Sequence, residues 1–566
     1  MLRLPAGPRL GQKGSRAAHS PLNGTMAILL LLLAAHRPTD TYPRQPLDVE
    51  HYHFALTLSD STDRIVGEAT LRIRPLAPQL THIDLDLADA SPARQGRGMR
   101  VSAVTHNGKL LAFSHGADRL AITLDGPANV GDVVELVVSY AGAPADGLQI
   151  KPTRYGDRAF FSDDWPDKAR HWLPTIDHIA DKATMEMDVV APSHYQVISN
   201  GRLVETTDLP NGTRRTVWRE SVPIAPWLYV LGVARFAVQH TGDYHGVPLE
   251  TWVFAQDRDA GFYDFAVPTR EVMDFFSIWI GPFAYEKLAN VQSNSVSGGM
   301  EAASAILYSA GSVSGTRSVR WRNVVIHEIA HQWFGDAVTE SDWNDVWLSE
   351  GFATYFTLLF IEHAYGRDEF LAGLRDSRKT VLEFDAKRPD YRVVHENLAD
   401  MAQVTSAMTY QKGAWVLHML RQAMGDDRFW AGIRDYYARF RNGNASTTDF
   451  RLAMERASGL DLGEFFQQWL YRGGVPRIVG TWQWDPDARQ VVVELRQIQE
   501  GEPFHHLPLD IGLVLPGAPG RVERVDLPGR TGRFTLPAEQ APIAVDLDPN
   551  VRVLIDGQLT PRGTPP

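Results

Sequence analysis

Two histidines four residues apart, His327 and His331, enclose a glutamate, Glu328, and a second glutamate, Glu350, follows 19 residues after His331. Residues four apart lie on one face of a helix, one turn above another. Two imidazoles so placed can converge on one cation. With Glu350 they make three protein ligands and leave a position open, which is what a catalytic zinc site requires. The chain has no cysteine, so any metal must be held by imidazole and carboxylate. Disulfides, thiolate-ligated zinc and a cysteine nucleophile are excluded for the same reason. Zinc lowers the pKa of a bound water. Glu328, adjacent to His327 and turned toward the open side, can take that proton and pass it to a leaving amine. The pattern thus implies metal-assisted hydrolysis, with one Zn2+ per chain held by His327, His331 and Glu350, and with Glu328 as general base.

These residues need two helices to position them. Residues 321–334 carry Val324, Val325, Ile329, Ala330 and Trp333 around the histidines, the apolar positions a buried helix offers. Glu350 opens a second apolar helix over 346–365. A short loop between the two lets them pack antiparallel and returns Glu350 to the histidines. Further helices are expected over 269–280, stopped by Gly281-Pro282, over 407–424, and over 447–457 behind the N-cap Ser446. Before this region, short alternating runs such as His53-Phe-Ala-Leu-Thr-Leu58 and Glu68-Ala-Thr-Leu-Arg-Ile73 read as strands between Gly, Pro, Asp and Asn clusters. After Gly473-Gly474 the strand pattern returns, as in Gln490-Val-Val-Val-Glu-Leu495.

The expected fold is therefore multidomain α+β. An N-terminal β-rich domain spans 42–240, a mainly helical catalytic domain 241–474, and a C-terminal β-sandwich-like domain 475–566. The length of 566 residues demands such a division. A hydrophobic content of 44% and a charged content of 22% are those of a globular chain and exclude a disordered or fibrous one. The net charge of −12, with no long basic run, excludes nucleic acid as a natural partner. The apolar run from Met26 to Ala35 is too short to span a bilayer, which needs about 20 residues. Preceded by Arg3, Arg9, Lys13 and Arg16 and ending in Ala34-Ala35, it suits a signal peptide. Residues 1–35 are thus read as a signal peptide or leader, with no stable membrane span. The expected location is secreted or periplasmic, or cytoplasmic if the leader does not act as a signal.

Beyond the metal motif, His331-Gln-Trp-Phe-Gly-Asp336, Trp343-Asn-Asp-Val-Trp-Leu-Ser-Glu-Gly-Phe-Ala-Thr-Tyr355, Gly298-Gly-Met-Glu301 and Tyr410-Gln-Lys-Gly-Ala414 resemble motifs of the aminopeptidase N family of zinc exopeptidases, which includes leukotriene-A hydrolase. Ala169-Arg-His-Trp-Leu-Pro174 and Glu464-Phe-Phe-Gln-Gln-Trp-Leu-Tyr471 resemble landmarks of its N-terminal domain and of the end of its catalytic domain. The resemblance implies a thermolysin-like (gluzincin) catalytic domain and peptides with a free N-terminus as substrates, in peptide catabolism. It implies that Glu301 binds the substrate's α-amino group, that Gly298, Gly299 and Met300 lie along the peptide backbone, and that Tyr410 donates its phenol to the oxyanion.

Two departures stand out. Ala302 occupies the place of the family's asparagine after Glu301, which implies a weakened hold on the peptide. Ser162-Asp-Asp-Trp-Pro166 has no glutamine where many members carry one near the amine site, and Asp163 or Asp164 is the available substitute. Other readings remain open at this stage: a zinc endopeptidase, which needs no amine anchor, and a catalytically weak, zinc-containing peptide-binding relative. His171, His178, His363 and His418 are read as structural or exposed.

Overall fold

In the strand Ile65–Pro75, Ile65, Ala69, Leu71 and Ile73 are buried while Glu68, Arg72 and Arg74 face out. That two-residue alternation is the signature of a sheet with one face on a core. The computed structural model describes residues 45–265, 269–395, 405–517 and 519–563, so the expected leader over 1–35 lies outside the described residues. Ile65–Pro75 sits within an eight-stranded sheet in which Leu47–Thr57 pairs antiparallel with Ile65–Pro75 and parallel with Ala183–Pro192. A three-stranded sheet and a four-stranded one complete the N-terminal part. The four-stranded sheet includes Arg158–Ser162, whose end delivers Asp163 and Trp165 toward the catalytic region.

The catalytic part begins with a five-stranded sheet in the order Phe236–Tyr244, Val247–Phe254, Leu288–Ser293, Ala305–Ser309, Gly299–Met300. Its first strand starts at Phe236, so the boundary expected at 240 falls inside a strand of this sheet. Only Arg235 separates that strand from Leu231–Ala234 of the N-terminal part, which is why pattern alone could not separate them. The short strand Gly299–Met300 pairs antiparallel with Ala305–Ser309 and forms the sheet's outer edge.

Nine helices accompany this sheet among the described residues, the first two between its strands Val247–Phe254 and Leu288–Ser293: α1 Arg258–Phe265, α2 Thr269–Trp279, α3 Val319–His331, α4 Trp347–Tyr365, α5 Arg367–Asp385, α6 Gly413–Met424, α7 Asp426–Phe440, α8 Thr447–Ser458 and α9 Gly463–Trp469. Caps decide several boundaries. The Ser318 side chain accepts from Trp321 N to start α3, and Ser446 with Asp449 forms a capping box at α8. None of these helices is long and apolar enough to cross a membrane. The helix expected over 407–424 is only partly continuous. Residues Met408–Lys412 wind as a π-turn before α6 starts at Gly413.

Beyond α9 the chain forms two small sheets, one of four strands around Gln490–Gln497 and one of three around Leu507–Val514. Val491, Val493, Leu509 and Ile511 join them to the same hydrophobic core as the rest of the molecule. The described parts are also stitched by polar contacts. Lys182 Nζ, from the N-terminal part, donates to Asp336 O at 2.8 Å, and His418 of α6 lies 3.0 Å from Val551 O.

Candidate active site

Helix α3 presents His327 and His331 on one face, with their Nε2 atoms 3.0 Å apart. Helix α4 packs against it and brings Glu350, in its first turn, to 3.3 Å from each imidazole Nε2 through Oε2. These three ligand atoms lie within 4.8 Å of one another, close enough to share one ion. The second nitrogen of His331 is already engaged. Nδ1 lies 3.2 Å from Phe334 O and 2.9 Å from Ser349 Oγ. A proton there leaves the Nε2 lone pair facing His327 and Glu350, the tautomer a metal ligand needs. Two imidazoles, one carboxylate and a fixed tautomer fit zinc.

The field of the site agrees with this assignment. Burial alone would raise the Glu350 carboxyl, but the positive charge that the surrounding carboxylates keep on His331, with hydrogen bonds from both imidazoles, outweighs it and holds it well below the usual carboxylate range; a bound cation would supply that charge in place of the proton. Glu328 stands differently. Burial, with the Glu301 carboxylate nearby, pushes it well above the ordinary value. A carboxylate that stays ionised beside the imidazoles suits a ligand. One whose proton affinity is raised suits a group that takes and returns protons. The two glutamates are separated by environment and not by type.

Glu328 reaches its place because residue 299 is glycine. A Cβ at Gly299 would lie 2.2 Å from Glu328 Oε1, inside any allowed contact. Gly298 has no such constraint, since a Cβ there meets nothing within 4 Å. Glu301 follows on the same edge, with Oε1 3.9 Å from His331 Nδ1. Its backbone is tied to α3 by Gln332. The Gln332 Nε2 donates to Glu301 O at 2.8 Å and to Asp336 Oδ2 at 2.7 Å, while its Oε1 accepts from Ser304 N at 2.8 Å. In the sequence Gln332 stands out only as part of a signature. The signal for its role was an amide directly after the second histidine, on a buried helix, able to satisfy a backbone donor and acceptor together. Ala302 is buried at 2% exposure and packs into the core beside this junction.

Tyr410 sits in the π-turn, with its OH donating to Glu350 Oε1 at 2.5 Å and its ring stacked on His327 at 6.1 Å. The turn can come this close because Gly351 of α4 and Gly413 meet backbone to backbone. A Cβ on either would be 3.0 Å from the other's Cα. Such π-turns recur at functional sites.

Two clefts flank the tyrosine. One, of about 340 Å³, is lined by Asp163, Gly299, Met300, Glu301, Glu350 and Tyr410. The other, of about 390 Å³, lies past His327 and Tyr410 and is lined by Val324, Thr357, Leu358, Ile361 and Gln411. Asp163 thus reaches the site, whereas Asp164 is buried and accepts from Trp172 Nε1 at 2.8 Å. His418 is buried between Tyr355 OH and Val551 O, away from the metal donors.

Known proteins share this arrangement of domains. The Peptidase M1 N-terminal domain matches residues 48–228 and the Peptidase family M1 domain matches residues 265–469. Glutamyl aminopeptidase from Rattus norvegicus is 29% identical over 327 residues, covering 56% of this chain and 34% of that protein. Aminopeptidase 2 from Candida albicans is 24% identical over 458 residues, covering 76% of this chain and 48% of its own length. The chain thus spans about a third to a half of these curated relatives. Among solved structures, an M1 zinc metallopeptidase from Deinococcus radiodurans superposes with a TM-score of 0.63 at 28% identity, covering 75% of this chain and 93% of that one. A mutant of the same enzyme bound to a Tyr-Ser-Ala substrate gives 0.64 at 27% identity, covering 75% of this chain and 94% of that one. Matched in both its N-terminal and its catalytic domain, and carrying a donor set fit for zinc, the chain belongs to the M1 family of zinc metallopeptidases.

Proposed function

We propose that the chain is a zinc aminopeptidase that removes the N-terminal residue of peptides. The observation that carries this reading is the position of Glu301. A buried carboxylate closes one cleft and stands 3.9 Å from a metal-ligand imidazole. An ammonium pairs strongly with a fixed anion where water is excluded. The Glu301 carboxylate also lies within 4.8 Å of that of Glu328, so an amine held there places the first peptide bond beside the base. The backbone of the N-terminal residue can run along the outer edge of Gly299–Met300, adding to the sheet as a further strand.

His327, His331 and Glu350 would hold zinc, which when bound supplies a Lewis acid for a carbonyl and acidifies water. Glu328 takes the proton of the attacking water and returns it to the leaving amine. Tyr410, whose phenol is kept protonated by burial and by Glu350, donates to the developing oxyanion. The rest of the peptide, whose nitrogen is the leaving amine, occupies the cleft beyond His327. Substrates with a free N-terminus and a role in peptide catabolism follow from this reading. Export from the cytoplasm is proposed on the apolar run Met26 to Ala35, and N-terminal sequencing of the mature protein tests it.

The test of the function compares a free aminoacyl substrate with its N-acetylated form. The parent should cleave the first and not the second. Glu301→Ala should raise KM for the free form at least tenfold while zinc content is unchanged. Equal cleavage of both forms by parent and variant would refute the exopeptidase reading and leave an endopeptidase.

A further inference from the structure

The turn that carries Tyr410 is held from behind by a buried lysine. Lys412 is fully buried, and its Nζ donates to Gly474 O at 3.0 Å and to Arg472 O at 3.5 Å. Those carbonyls belong to the segment that leads from α9 into the C-terminal sheets. Asp385, at the end of α5, is buried as well and pairs with Arg477 at 3.4 Å. Its charge also acts on Lys412, while its Oδ1 makes no hydrogen bond among the described residues.

Burying an ammonium is costly unless its donors and its charge are matched. An apolar side chain would fill the same space without that cost, so the lysine calls for a reason beyond packing. Geometry supplies one. Side chains two residues apart on a helical turn point to opposite sides. Tyr410 therefore faces Glu350 while Lys412 faces the Arg472–Gly474 segment. On a third side the Gly351–Gly413 contact sets how closely the turn approaches α4. The phenol oxygen is fixed only if the turn can neither slide nor rotate, and Lys412 supplies the tether that opposes both.

We propose that Lys412 is a positioning residue for the reaction: by tying the turn Met408–Lys412 to the carbonyls of Arg472 and Gly474, it sets the place of the Tyr410 phenol against Glu350. The inference rests on the reading of Tyr410 as the oxyanion donor. A lysine that served packing alone would lower stability, and it would affect activity alike with or without the phenol. A positioning lysine acts only through that phenol.

A double-mutant cycle on the zinc-loaded full-length protein, with alanyl-p-nitroanilide as substrate, separates the two. Parent turnover is measured first, and its absence refutes the aminopeptidase reading itself. Given turnover, Lys412→Met should lower kcat about 10- to 100-fold, the cost of a displacement near 1 Å in a catalytic group. KM should stay within about twofold and zinc content should not change, because the lost interaction is made in the transition state. In the Tyr410→Phe background the same change should lower kcat by less than about twofold. An equal loss in both backgrounds overturns the proposal. If Lys412→Met does not fold, Lys412→Arg carries the same cycle, with a phenol-dependent loss supporting the proposal and an equal loss overturning it.

Discussion

Replacing Gly299 by alanine perturbs the general base without touching it. The strand conformation at this position suits alanine, so backbone strain does not enter. The added methyl would come to 2.2 Å from Glu328 Oε1, 2.3 Å from Cδ and 2.4 Å from Cγ, whereas ordinary contact begins near 3.4 Å. Something must yield by about 1.2 Å. The strand is held to Ala305–Ser309 by its ladder, and α3 is fixed by its cap and by Gln332. The carboxylate is the softer partner, so Glu328 should swing away. A misplacement of this size costs about 100-fold, or about 2.7 kcal/mol of transition-state stabilisation. Steady-state kinetics on an aminoacyl-p-nitroanilide, with zinc measured on the same sample, reads the effect. The expected result is a fall in kcat near 100-fold with zinc retained, since the three atoms nearest the added methyl all belong to Glu328 and none to a ligand. A kcat within twofold of the parent would show that Glu328 is not confined by Gly299 and would refute the reasoning.

Two further outcomes follow from the same geometry. The cleft around Glu301 is lined by Asp163, Glu301 and Glu350 and, among the described residues, by no lysine or arginine. Glutamyl substrates should therefore be cut at least tenfold less efficiently than alanyl or arginyl ones, and Asp163→Asn should narrow the gap between arginyl and glutamyl substrates; parity between them in the parent would contradict this. His418 gives the second. Burial lowers its pKa to about 3, while in the unfolded chain it titrates near 6.5. The unfolded state then binds the extra proton between those values, so stability falls as pH drops through that window, by on the order of a few kcal/mol. Thermal melts from pH 7 to pH 4 should show a steeper decline for the parent than for His418→Gln, and parallel curves would rule the residue out as a source of acid lability.

Much of the site could be read in the sequence because its chemistry is local. The spacing of His327, Glu328 and His331 needs only a helix, and α3 forms where Ser318 can cap it. Glu350 needed one more step, the antiparallel return of α4, which a short loop nearly dictates. The strand-rich ends were visible from alternation, as in Ile65–Pro75. What escaped depends on contacts between distant segments. Gln332 matters because it joins helix to edge strand, and no periodicity reports that. The π-turn at Met408–Lys412 looks helical in pattern, since the apolar positions of 407–424 run through it. Its irregularity falls where Gly413 meets Gly351 and where Lys412 reaches Gly474 O, contacts between segments distant in the chain. Helices α5 and α7 are not delimited by the sequence pattern. α5 is marked by exposed charge rather than by caps, and the stop at Gly425 that starts α7 reads equally as a loop.

The chemistry of the site depends on the separation of ligand and base between two glutamates, both buried and both near His331. Metal content and turnover of Glu328→Gln, measured on one purified sample beside the parent and Glu350→Gln, test this most directly. The structure predicts one zinc per chain and a loss of at least 100-fold in kcat for Glu328→Gln, and zinc well below one per chain for Glu350→Gln, since a carboxylate ligand is lost only there. Full zinc with full turnover in Glu328→Gln would contradict it.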